Sequence, residues 1–244
     1  MGRSCCGPIS TPIDDPSLEM TAKAEPVTEY EDDITKMDLT PADRRRAHRQ
    51  FMWQDHQILR GRWTNFDIVA PGVFRSNQPD AARYAAFAAQ GGRSVLNLRG
   101  VSRSAFYLYT KEGCDAAGLT LYNVGKLSAR RAPNRESLLE VFNVFDQAER
   151  GLLMHCKSGA DRTGLVSTFY LIDQCHEAVA TARRHLSSKY LHFSWSHSGI
   201  LDLLVNDVAQ MEGRKSLRDY IRDDYDADDL TARYQKYGLK APGS

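Results

Sequence analysis

The stretch HCKSGADRTG, residues 155–164, sets a thiol (Cys156) and a guanidinium (Arg162) at either end of a short turn that contains a glycine. An apolar run, Leu152-Leu153-Met154, leads into it, and an apolar helical pattern follows from Thr163. A turn between a strand and a helix can curl so that its backbone N–H groups point inward and form an anion nest at the helix N-terminus. The same donors and the helix dipole stabilise a thiolate, which is the nucleophilic form of cysteine. An arginine returning to the rim can take two oxygens of a phosphate with its planar fork. Together these parts hold a tetrahedral dianion over a nucleophilic sulfur. That is the chemistry of covalent phosphoryl transfer through a phosphocysteine, with positive surroundings for the equatorial oxygens of the transition state.

The chain must build a strand, a loop and a buried helix around these residues. Residues 66–70 and 73–76 read as short strands about a Pro71-Gly72 turn, and 94–98, 119–124 and 152–156 as further strands. Helices are expected at 80–90, within 104–117, from Asn134 onward, over 163–174, and at 177–190, 198–211 and 216–237. The expectation is one α/β domain, residues 41–244, with a central mixed sheet of four or five strands flanked by helices. Thr40-Pro41 is a helix-start signal, so an added N-terminal helix is expected over 42–60, with Arg44, Arg45, Arg46 and Arg49 on its early turns. Trp53, Trp63 and Trp195 are expected to pack in the interior.

Residues 1–40 carry nine acidic and three basic side chains and little apolar periodicity, which predicts a disordered acidic tail. The chain has a formal net charge of +1, so the remainder carries +7 and suits an anionic ligand. Its basic residues are scattered and match no nucleic-acid recognition motif. Nothing approaches the roughly 20 apolar residues of a membrane span, and no secretory signal core is visible, which predicts a cytoplasmic protein. In the start MGRSCC, Gly2 is in place but Cys6 stands where a myristoylation signal wants Ser or Thr, which leaves lipidation at Gly2, Cys5 or Cys6 open. Five cysteines without ligand spacing favour neither a disulfide framework nor a zinc site, and no metal or other cofactor is expected. The acidic run 223–229 lacks the Gly and Glu that a calcium loop of the helix-loop-helix type requires.

His-Cys-x5-Arg-Thr-Gly resembles the signature of the cysteine-based protein tyrosine and dual-specificity phosphatases. VFRSNQP, residues 73–79, and SVLNLRG, residues 94–100, are similar to segments of the compact bacterial and plant members. The resemblance spans roughly residues 62–212. It implies a metal-independent phosphomonoesterase acting on a phosphorylated protein or a small phosphorylated molecule. Cys156 would be its nucleophile and Arg162 its phosphate clamp. The amides of Lys157, Ser158, Gly159, Ala160, Asp161 and Arg162 would line the cradle. The Thr163 hydroxyl would support the thiolate and breakdown of the phosphoenzyme. His155 would orient the loop from behind and help depress the pKa of the cysteine. Apart from the resemblance, RSNQP, residues 75–79, and Arg99-Gly100 are expected either to brace the sheet edge near the loop by hydrogen bonds or to serve as ordinary turns.

The family's usual acid, an Asp roughly 30 residues before the cysteine, is missing. The corresponding segment, residues 124–137, holds only Glu136. Asp161, inside the loop, is therefore the leading candidate for the leaving-group acid, with Glu136 as the alternative. An acidic leaving group that needs no acid is the third option. Lys126, Arg130, Arg131 and Arg135 in the same segment would add positive charge over the pocket, which leaves inositol phosphates or phosphoinositides open as substrates. The competing reading is a catalytically weak phosphate-binding module.

Overall fold

The computed structural model describes residues 40–54, 60 and 62–240. The acidic tail, the lipidation question and Ile58 and Leu59 of the N-terminal helix lie outside them. A first helix, α1 (Pro41–Arg49), precedes the sheet. Five strands form one mixed sheet in the order β1-β2-β5-β3-β4, with β1 Asp67–Ala70, β2 Val73–Asn77, β3 Ser94–Asn97, β4 Thr120–Asn123 and β5 Leu152–Cys156. Only the β1–β2 pair is antiparallel. The five residues of β5 and the four of β3 are all buried, because helices cover both faces of the sheet.

The two-residue period of a strand assigns those faces. Val95 and Leu153 point to one side, where they meet Tyr84, Phe87, Cys114 and Leu119. Those partners include side chains of α2 (Ala81–Ala89) and α3 (Ala105–Ala117). Leu96, Leu152 and Met154 point to the other side and join the larger core. That core is built with α4 (Arg135–Gln147), α5 (Asp161–Asp173), α6 (Ile200–Met211) and α7 (Ala227–Tyr237). In α5 every residue from Thr163 to Leu171 is buried, which is why its sequence carries no polar face. Asp80 caps α2 and Asn134 caps α4, each through its side-chain oxygen, as the sequence indicates.

Four expectations need correction. Helix α1 starts as expected at Pro41 under a Thr40 cap, but it is regular only to Arg49 and then widens into a π turn over Gln50–Gln54. The segment 177–190 is not one helix. It is a turn of helix at Val179–Ala182 followed by 3-10 turns, because the His185 carbonyl is taken by the buried Arg75 guanidinium instead of a helical amide. The segment 216–237 breaks at Tyr225, whose backbone is extended and whose carbonyl accepts from Arg135. Asp226 then starts α7 by accepting from the amides of Asp228 and Asp229, which accounts for part of the acidic run. Trp53 and Trp195 are 68% and 83% exposed, so neither is a core residue.

Candidate active site

Central strand β5 delivers Cys156 to the C-terminal edge of the sheet. The register places Asn77 beside Cys156 and Asn97 beside His155. Because β5 lies between β2 and β3, the loop after it opens at the point where the strand order reverses, which is where open α/β sheets bind ligands. α5 begins at Asp161, so residues 157–160 make the whole connection.

The loop is shaped from outside. The Lys157 carbonyl accepts from Arg60 Nη1 at 2.9 Å and from the Gln78 amide at 3.3 Å. The Ser158 carbonyl accepts from Asn65 Nδ2 at 3.0 Å. The Gly159 carbonyl accepts from Arg75 Nη2. A planar trans peptide directs its N–H opposite to its carbonyl. Three outward carbonyls therefore turn the amides of Ser158, Gly159 and Ala160 toward the loop's interior. The Gly159 amide donates to Cys156 Sγ at 3.2 Å, while that of Ala160 meets Ser158 Oγ at 3.3 Å. Gly159 has φ +72°, and a Cβ there would lie 2.7 Å from backbone atoms of Ser76 and Asn77, so only glycine fits.

Burial alone would push the Cys156 thiol up. The Arg162 guanidinium, the Thr163 hydroxyl and the amides of Thr163 and Gly159 outweigh it and hold the thiol below its ordinary value. Arg162 is braced through Nη1 to the Leu98 carbonyl at 3.1 Å. Its Nε and the Thr163 Oγ1 are buried with no full hydrogen-bond partner. A buried donor left unmatched is costly, so Arg162 Nε beside a thiolate is open to an acceptor oxygen, while the Thr163 hydroxyl faces the sulfur. Cys114, by contrast, is buried and pushed up to about 12. Alkylation by iodoacetamide should therefore modify Cys156 at neutral pH, with inorganic phosphate protecting it, and spare Cys114. The Cys156 rate should persist as pH falls below 9, the ordinary thiol value, because the thiolate does. A tenfold loss per pH unit directly below 9, read by peptide mass mapping, would contradict the lowered value.

His155 is fully buried at the end of β5. Its Nε2 meets the Tyr84 hydroxyl at 3.0 Å and its Nδ1 faces the Cys156 carbonyl at 3.4 Å. Burial drives its pKa down to about 3, so it is neutral and gives the thiolate no electrostatic help. The expected bracing is present, though around the central strand and not at a sheet edge. Arg75 bonds the His185 and Gly159 carbonyls and lies 3.6 Å from the Tyr190 ring centroid. Arg99 donates to Gln78 Oε1 and stacks on Phe106 at 3.4 Å.

The candidate acids separate clearly. Glu136 is exposed on the first turn of α4. Asp161 Oδ1 lies 2.8 Å from His192 Nδ1, and His192 Nε2 lies 2.7 Å from Asp202 Oδ2. Nothing in the sequence singles out His192 or Asp202, since neither sits in a motif and only the turn before α6 brings them to the loop. Asn65 likewise carries no sequence signal of a site residue. The basic residues of segment 124–137 take separate places. Arg135 is tied to the Tyr225 carbonyl, while Arg130 and Arg131 line an 820 Å³ cavity with His197 and Tyr234 that includes no residue of the loop.

No family model matches the chain, and no curated protein does. Solved structures do match. A candidate phosphatase (DUF442) from Shewanella putrefaciens CN-32 aligns with TM-score 0.50 at 16% identity, over 62% of this chain and 92% of that one. The core catalytic domain of the PP-IP phosphatase SIW14 from S. cerevisiae aligns with TM-score 0.44 at 19% identity, over 72% and 93%. A cysteine-to-serine variant of TpbA from P. aeruginosa, solved in complex with pTyr, aligns with TM-score 0.46 at 20% identity, over 65% and 88%. The α/β fold is thus one shared with the Shewanella structure. Among the described residues no helix is long and apolar enough to cross a membrane.

Proposed function

We propose that this chain is a cysteine-dependent phosphomonoesterase that works through a phosphocysteine. The observation that carries the reading is the convergence at Cys156. A thiol held below its ordinary value sits under inward-facing amides, beside two buried donors that lack a full partner, Arg162 Nε and Thr163 Oγ1. An ester phosphate supplies the oxygen that Arg162 Nε lacks, while the Thr163 hydroxyl serves the sulfur. In the first step Cys156 Sγ attacks phosphorus, the P–O bond to the leaving group breaks, and Arg162 with the loop amides holds the equatorial oxygens. In the second, water attacks phosphorus, the S–P bond breaks and its electron pair returns to sulfur. Thr163 is placed to donate to that sulfur as it leaves. Substrates are phosphorylated proteins or small phosphorylated molecules, dual specificity included. An inositol-phosphate substrate is the alternative within this reading: Arg135 is committed to the Tyr225 carbonyl, while Arg130 and Arg131 line a cavity beside His197.

The second reading, a phosphate-binding module with little turnover, is favoured by the lack of an Asp in that segment. Release of inorganic phosphate from an aryl phosphate by the full chain, its inhibition by vanadate, and its loss in Cys156→Ser decide between them. The expected outcome is turnover in the wild type, none in Cys156→Ser, and retained binding of phosphate by that variant. Equal inactivity of both proteins, with both binding a phosphorylated ligand, would establish the module instead.

A further inference from the structure

Two side chains upstream of the cysteine loop make the same kind of double contact. Asn65 Nδ2 donates to the Ser158 carbonyl at 3.0 Å and to the Tyr190 carbonyl at 2.9 Å. Arg75, on β2, donates through Nη2 to the Gly159 carbonyl and through Nη1 to the His185 carbonyl. Each therefore staples one peptide of the loop to one end of segment 185–190. An asparagine amide nitrogen carries two hydrogens, and in Asn65 each has its own carbonyl. Asn65 is buried and has φ +50°, in the left-handed region that Asn enters more readily than most residues with a Cβ. The residue before it is pinned as well. The Thr64 carbonyl accepts from the Asn77 amide at 2.7 Å, and Asn77 is the register partner of Cys156.

The peptide between Ser158 and Gly159 links Asn65 to the reactive atom. Its carbonyl accepts from Asn65, and its N–H, on the opposite side, donates to Cys156 Sγ at 3.2 Å. A donor on the carbonyl also polarises the peptide and strengthens its N–H. We propose that Asn65 is a positioning residue that aims the Gly159 amide at the Cys156 sulfur and so sets the reactivity of the thiolate. It acts through this one peptide, with the Tyr190 carbonyl as its fixed support. The other groups around the sulfur keep their charge when Asn65 is replaced. Arg162 is the strongest of those opposing the burial that pushes the thiol up, and Thr163 follows it. The Arg75 charge also acts on the sulfur, and buried His155 is neutral. A change in thiol ionisation on replacing Asn65 therefore reports the Gly159 amide.

The test uses the full chain and two variants. Asn65→Gly removes the donor and keeps a residue at ease with positive φ. Asn65→Asp keeps the shape, but its ionised carboxylate has no hydrogen to donate. Alkylation of Cys156 by iodoacetamide is followed against pH by peptide mass mapping. In Asn65→Gly the midpoint of that curve should rise by about one pH unit or more, the worth of one hydrogen bond to a charged group. The plateau rate at high pH should stay near wild type, and Cys114 should stay unmodified. Asn65→Asp should raise the midpoint further, because it also sets a negative charge behind the loop. A wild-type midpoint in both variants overturns the proposal. Modification of Cys114 at the rate of Cys156 in both does the same, since Asn65 would then serve the fold alone.

A kinetic arm rests on the phosphomonoesterase reading. With p-nitrophenyl phosphate, the acid limb of kcat/KM reports the ionising groups of the free enzyme. In Asn65→Gly that limb should move to higher pH together with the alkylation curve. A limb that stays in place while the alkylation curve moves would overturn the link from Asn65 to the reacting sulfur. The alkylation arm needs no turnover and so separates the two readings. A shifted alkylation curve in a chain whose wild type releases no phosphate from the aryl ester sustains the role of Asn65 and overturns the phosphomonoesterase reading instead.

Discussion

Replacing Arg162 by Lys should lower kcat by about 10²–10³-fold, the cost of removing an oriented donor from a developing oxyanion. Charge is conserved in this variant, so the loss would come from geometry. The guanidinium is held by the Leu98 carbonyl at 3.1 Å and keeps its buried Nε in reserve. A lysine ammonium offers three rotatable donors and no planar fork. It would have to choose between Leu98 and the phosphate. Alkylation of Cys156 should change little, since the Arg162 charge is the strongest influence opposing burial of the thiolate and lysine conserves it. Steady-state kinetics with an aryl phosphate and a timed iodoacetamide reaction check the two parts. A kcat within about fivefold of wild type would show that charge alone suffices and that the fork geometry is irrelevant.

Gly159→Ala should destabilise the protein by about 2–5 kcal/mol and remove most phosphate affinity. Two costs add. A residue with a Cβ in the left-handed region loses about 1–2 kcal/mol, and overpacking against a fixed neighbour costs about 1–3 kcal/mol. The neighbour here is backbone. The new methyl would meet Ser76 and Asn77 at 2.7 Å, within β2, which cannot move without disturbing its pairing with β5. For a chain of this size the loss corresponds to a Tm decrease of about 4–20 °C. Relief by backing the loop away from β2 would break the Arg75 bond to the Gly159 carbonyl and rotate the Gly159 amide off the sulfur. Thermal melts with and without vanadate test this. An alanine variant with wild-type Tm and the usual vanadate stabilisation would mean that the loop has slack the structure does not reveal.

The strands and the capped helices were legible because each is written in local code. LLMHC is an uninterrupted apolar run, and Asp80 and Asn134 are cap residues at the start of periodic patterns. Cys156 and Arg162 were legible because their chemistry is tied to a fixed spacing. The misreadings share a different cause. His185 and Tyr225 end helices because their carbonyls are claimed by arginines far away in the chain, Arg75 and Arg135. His155 reads as an electrostatic aid until its burial is known, and burial is what makes it neutral. Trp53 and Trp195 follow no rule that periodicity can see. His192 and Asp202 came to the loop through tertiary packing alone, so Asp161 could be found in the sequence while its role could not.

The outward-held carbonyls of residues 157–159 bear on whether the loop is a portable module. Its curvature is imposed by Arg60, Asn65, Arg75 and Gln78, which all lie far upstream in the chain. A ten-residue peptide of the same sequence would have none of these clamps, and its amides would turn to water. The instruction to grip phosphate is thus spread over two distant stretches of sequence. Transplanting HCKSGADRTG to another strand-helix junction would carry the reactants across and leave behind the mould that gives them their shape.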